Sequence, residues 1–172
     1  MTAIDPGGLR YLQPVADALV PLIADAPGSL VPCTTEEIAA LEALTAPHHL
    51  PAAYVEFLRY GGKQLAGVFH GLDFSYAMAL AHRSHGSRDI LSMLRRRDQT
   101  AVLPDAVFVL NEHLGSNFTY FNLTEGDDPP IYFWEEGDEG LDTAVRDHDA
   151  FSSFVLTQAK LRVEFLRRNP RR

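Results

Sequence analysis

The sequence predicts an α+β fold: a single domain over residues 1–172, with a mainly antiparallel sheet flanked by N-terminal helices and a closing C-terminal helix. Three observations lead there. Apolar residues keep helical spacing up to Gly62 and again after Asp149, and short β-type runs fill the middle. The connections between those runs are mostly too short for helical crossovers. Hydrophobic residues make up 46% of the 172, enough for a sizeable core, and 10% aromatic content argues against disorder.

Taken in order, residues 8–24 place Leu9, Leu12, Val15, Leu19, Leu22 and Ile23 on one helical face, with Pro14 and Pro21 expected to interrupt or kink it. Thr34 and Glu37 have capping-box spacing and open a second helix through Leu44. In HHLPAAYVEFLRYGG, residues 48–62, Pro51 takes a first helical position and Tyr54, Phe57 and Leu58 share a face. Gly61 follows, where a residue without Cβ adopts the left-handed conformation that closes a helix. A helix of about ten residues does not persist alone in water, so its large side chains must be held by packing.

Val68-Phe69 and Leu72–Tyr76 read as short strands or extended turns. Ser87–Arg97 reads as a helix whose final arginines suit the dipole. Ala106–Leu110, Phe118–Leu123 and Ile131–Trp134 are the clearest strands, separated by Gly and Asp clusters. Alternation puts Tyr132 and Trp134 on one face and Ile131 and Phe133 on the other, so both faces are apolar. Asp149–Arg168 returns to helical spacing, with Asp147 or Asp149 as its expected cap.

Charge narrows the function classes. The net charge of −8 disfavours nucleic acid as a partner, because that affinity comes from neutralising phosphates. Between Asn122 and Ala150 stand ten acidic residues against one basic, Arg146, whereas Lys160–Arg172 is strongly basic. No apolar run approaches the roughly 20 residues that span a bilayer, so no membrane association is expected. The opening MTAIDPGGLR has no signal-peptide pattern, and a lone Cys33 fits a reducing compartment; a cytoplasmic location is the expectation.

Catalytic motifs are thin. His82 and His85 have i, i+3 spacing without a recognisable third ligand, and they read as solvated or locally hydrogen-bonded. EEGDEGLDTAVRDHD lacks the alternating oxygen ligands of a calcium loop. Gly61-Gly62-Lys63 follows a helix, where a phosphate loop follows a strand. Cys33 reads as a small buried hydrophobe. Paired acids occupy turn-like sequence, whereas a general acid needs burial to raise its pKa. No catalytic residue, metal or cofactor is expected.

Four segments carry a family resemblance. LPAAYVEFLRYGG (50–62) resembles the Leu-Pro-x-x-Tyr-x-x-Phe-Leu…Gly-Gly signature of the SUKH superfamily, which includes the yeast cell-wall assembly regulator and many bacterial immunity proteins. LPDAVFVL (103–110), FTYFNLTEGDDPPIYFWEEG (118–137) and FSSFV (151–155) are similar to its later strands and closing helix, in the right order, with Val155 where Leu is usual. The resemblance covers about residues 35–160; residues 70–100 match nothing in it, and the helix at 8–24 lies outside. It implies that Leu50, Pro51, Tyr54, Phe57, Leu58, Gly61, Gly62, Phe151 and Phe154 specify the fold and carry no chemistry. In that picture, Gly61-Gly62 is the turn into the first strand.

The resemblance also implies a non-enzymatic binding protein, an immunity protein that neutralises a cognate toxin by direct contact. A nuclease toxin binds phosphate and is therefore basic, which an acidic surface attracts and selects. The expected contact residues are Asp127, Asp128, Glu135, Glu136, Asp138 and Glu139 as charged rim, with Tyr132 and Trp134 as aromatic anchors. The alternative is a regulatory scaffold for cell-wall or signalling proteins.

Overall fold

Most helix starts here depend on side-chain carboxylates and hydroxyls, as the computed structural model shows over the residues it describes: 8–25, 29–69, 74–83, 106–113, 116–135 and 143–169. Helix α1 spans Gln13–Asp25, with Pro21 inside it. Pro14 falls in its first turn, where a missing N–H breaks no intrahelical bond. The helix begins later than residue 8 because Arg10, Tyr11 and Leu12 donate their backbone N–H groups to the Glu56 carboxylate at 2.6, 2.8 and 2.8 Å. A carboxylate in that position satisfies free donors and complements the helix dipole.

Strand β1, Leu30–Val31, precedes α2, Thr35–Ala43. The expected capping box is present: Glu37 N donates to Thr34 Oγ1 at 3.2 Å, and Thr34 N to Glu37 Oε2 at 2.7 Å. The second Glu37 oxygen pairs with Lys63 Nζ at 2.7 Å. The Lys63 contact, and after it the Thr34 N–H, holds the Glu37 carboxyl below its ordinary value of 4.5.

Helix α3, Ala52–Gly61, starts one residue after Pro51, which is its N-cap. It ends without a left-handed residue, since Gly62 has φ −61°. Crowding, not conformation, is what requires glycine here. A Cβ on Gly61 would stand 2.7 Å from Leu65 Cδ1. One on Gly62 would stand 2.7 Å from Leu58 Cα and 2.9 Å from Cys33 Sγ. Strand β2, Gln64–Leu65, then pairs antiparallel with β1.

Helix α4 is Tyr76–Ala81, with Ser75 Oγ accepting from Met78 N at 3.4 Å. Tyr76 is thus helical, not extended, and Val68-Phe69 lie in a turn; their aromatic and β-branched side chains look strand-like but serve the core. The expected helix at Ser87–Arg97 lies outside the described residues. Four strands follow, β3 (Val107–His113), β4 (Asn117–Asn122), β5 (Ile131–Glu135) and β6 (Thr143–His148). They form one antiparallel sheet in sequential order. Strand β6 has no counterpart among the expected strands, because charged residues mask the alternation of Thr143 and Val145. Helix α5, Phe151–Arg168, closes the fold. Among the described residues no helix is long and apolar enough to cross a membrane.

The core gathers on Tyr54 and Phe57. The Tyr54 ring meets Phe108, Phe121 and Phe151 edge-on at centroid distances of 5.2, 5.4 and 5.4 Å. Phe57 meets Phe74 at 5.4 Å and Phe151 at 5.7 Å. Burying each such side chain contributes about 1.5–3 kcal/mol, which a short helix lacks on its own. The opposite face of the sheet is buried as well, through Val107, Val109, Phe118, Tyr120 and Trp134. At the outer edge of β3, Arg83 Nη1 donates to the Val107 carbonyl at 3.1 Å and blunts an open strand edge.

Two measurements check this account. Urea unfolding of Tyr54→Ala should show a loss of about 3–5 kcal/mol, and Gly62→Ala a loss of about 1–3 kcal/mol from overpacking. The second measurement is pH dependence. Because folding lowers the Glu37 pKa, its contribution is complete above pH 4.5 and is lost as pH falls through the lowered value. Below pH 4.5 the urea midpoint of Glu37→Gln should therefore fall less steeply than that of the parent.

Candidate functional site

The acid-rich segment between β4 and β5 is fastened at several points. Glu125 Oε1 accepts from the Tyr132 hydroxyl at 2.8 Å. The Asp127 carbonyl accepts from Ala53 N at 2.8 Å, and its carboxylate from the Tyr11 hydroxyl at 3.3 Å. Asp128 takes Ser152 N on one oxygen at 2.9 Å and the Ser152 hydroxyl on the other at 2.6 Å. It is Asp128 that caps α5, in place of Asp147 or Asp149: the N-cap residue is Ala150, and Asp149 pairs with Arg146 at 3.2 Å. A cap borrowed from 24 residues away leaves no local spacing to read.

The expected contact residues therefore separate. Asp127 is exposed, whereas Asp128 has both oxygens engaged in structure. Tyr132 is half-buried and stacked on Tyr120 at 5.3 Å. Trp134 is corrected as a surface anchor: it is 1% exposed and stacks on Phe118 at 4.9 Å, inside the second apolar cluster. Glu135 is exposed at the far end of β5, roughly 13 Å along the strand from Ile131. Glu136, Asp138 and Glu139 lie outside the described residues.

A different surface emerges on the helix-facing side of the sheet. A register shift between Val109 and Asn111 changes what that side presents. Before it lie the buried Phe108, Phe121 and Ile131. Beyond it, one cross-strand row runs Asn111, Thr119, Phe133, Val145. The next row carries His113, Asn117 and Glu135. Val145 is 55% exposed and Phe133 half-buried, so the core does not extend there.

Between these rows and α5 opens a cleft of about 340 Å³. Phe74 and Phe154, their rings 5.7 Å apart, form its apolar wall, and Gln158 reaches in from α5. Asp147 brings a carboxylate, whereas the Glu112 side chain shares the other sheet face with Phe118; none of the described residues lining the cleft is lysine or arginine. Asp147 also contacts His148 Nδ1 at 2.9 Å, and Glu112 approaches His82 Nδ1 at 3.5 Å. Sequence reading missed this cleft because no motif marks it; the alternation in NFTYFN was its signal, placing Asn117 and Thr119 on the same side as Phe121.

Chemically, the cleft offers amides, a hydroxyl, a carboxylate and aromatic rings. Burial pushes the Cys33 thiol up to about 12, so it stays protonated. Among the described residues no three His, Cys, Asp or Glu side chains converge on a metal position.

A search of curated proteins finds no match. The model of the SMI1 / KNR4 family (SUKH-1) matches residues 32–156, from the entry to α2 into the first third of α5, and leaves α1 outside. With the signature side chains of α3 packed between sheet and closing helix and most of the chain matched, this protein belongs to the SMI1 / KNR4 family (SUKH-1).

Proposed function

We propose that this protein is a non-enzymatic binding protein that acts in the cytoplasm as an immunity protein, neutralising a cognate basic toxin by direct contact. The observation that carries this reading is the acidity of one stretch of the chain: ten acidic residues against one basic between Asn122 and Ala150. Glu135 and Asp147 belong to that stretch and sit at the exposed part of the sheet. An acidic surface speeds encounter with a basic nuclease and rejects partners of like charge. The burial of Trp134 moves the aromatic contribution to Phe133, on the opposite face.

One observation favours the scaffold reading as a second choice. The distal half of α5 exposes Leu161 and Phe165, 54% and 55%, beside Lys160, Arg167 and Arg168. That is a second surface of opposite charge, which an adaptor needs and a simple inhibitor does not.

The test is capture of partners by the tagged protein at low salt, followed by growth assays. A basic toxin domain that is released as salt rises, and whose toxicity the protein suppresses, would support the immunity reading. Wall-synthesis or signalling proteins in its place would favour the scaffold. Charge reversal of Glu135, Glu136, Asp138 and Glu139 to Lys should slow association with the toxin by about tenfold or more and leave the urea midpoint unchanged. Unaltered binding by the folded variant would remove the acidic surface from the mechanism.

A further inference from the structure

We propose that the cleft between α5 and the distal part of the sheet is an arginine pocket, taking the guanidinium side chain of a partner protein. The proposal rests on the binding function above and names the group recognised.

Unmet hydrogen-bonding capacity is the first argument. Asn111, Asn117, Thr119 and Gln158 are half-buried at the cleft, and their side chains make no hydrogen bond to other residues. By contrast, Asn122 Oδ1 accepts from Thr124 N at 3.0 Å, and Thr45 Oγ1 donates to the Glu42 carbonyl at 2.8 Å. Four unengaged polar side chains facing one cleft form a recognition surface held open to solvent.

Charge and shape select among ligands. Asp147 meets the His148 imidazole through one oxygen, leaving the other oxygen for a ligand. With no lysine or arginine among the described lining residues, an anion is disfavoured and a cation favoured. A guanidinium carries five donors and no acceptor, which suits carboxylate and amide oxygens. It is planar and less strongly hydrated than an ammonium, so it stacks where Lys does not. Phe133 lines the cleft and supplies the aromatic ring such a contact needs. The volume of about 340 Å³ lies at the small end of the range for ligand sites, suited to one long side chain and its backbone. A metal is the poorer choice, since no three-ligand cluster occurs among the described residues.

The experiment titrates Nα-acetyl-arginine amide into the isotopically labelled full chain and follows backbone amide shifts by NMR. Saturable shifts are expected at Asn111, Asn117, Thr119 and Phe133, with an affinity of roughly millimolar. The uncharged isostere Nα-acetyl-citrulline amide should bind about tenfold or more weakly. Asp147→Asn, which keeps the side-chain shape, should weaken arginine binding to a similar degree. Phe133→Leu, which keeps the apolar volume, should weaken it about two- to fivefold. Equal binding of citrulline or of Nα-acetyl-lysine amide overturns the assignment, as do shifts confined to the Glu125–Asp128 connector. An unresponsive cleft alongside intact toxin capture would remove the pocket and leave the immunity function standing. Failure of toxin capture bears on that function alone.

Discussion

Edge-on contacts of the Tyr54 ring with Phe108, Phe121 and Phe151 tie sheet, α3 and α5 together at one point. Without them α3 is a ten-residue helix with no reason to persist. The same helix serves its neighbours through the backbone and through charge. Glu56 gathers three N–H groups ahead of α1, and the Asp127 carbonyl meets Ala53 N at the start of α3. The close approach at Gly61 and Gly62 then brings Leu65 and Cys33 against the end of the helix. One short element thus positions both α1 and α5.

The acids of this protein fall into two groups that composition cannot tell apart. Glu37, Glu56 and Asp128 are bound by backbone donors and hold helix ends. Asp127 and Glu135 are exposed, and Asp147 reaches the cleft. Charge–backbone bonds of the first kind are stronger than neutral ones. Acids of the second kind act at longer range, on whatever approaches.

Much of the fold was legible because its signals are local. The Thr34–Glu37 box, the Tyr54–Phe57–Leu58 face of α3 and three of the four long strands rest on spacing within a few residues. The caps supplied by Glu56 and Asp128 act across 44 and 24 residues, and nothing in the local pattern announces them. Gly61 was recognisable as necessary, but for the wrong reason, since close approach leaves the same residue in the sequence as a left-handed turn. The aromatic strand IYFWE displayed its two faces clearly. Which face the core would bury most deeply depended on packing, and it buried Trp134 completely while leaving Phe133 half-open.

The register shift between Val109 and Asn111 divides the labour of one sheet face. On one side of it Phe108 and Phe121 stack at 4.9 Å, and any change of volume there disturbs the whole interior. On the other side Asn111, Asn117 and Thr119 contact no fully enclosed layer, and substitutions at such positions usually move stability by within about 0.5 kcal/mol. The scaffold is therefore free to change the side chains it presents there row by row. A chain built this way can accept a new surface without having to learn to fold again.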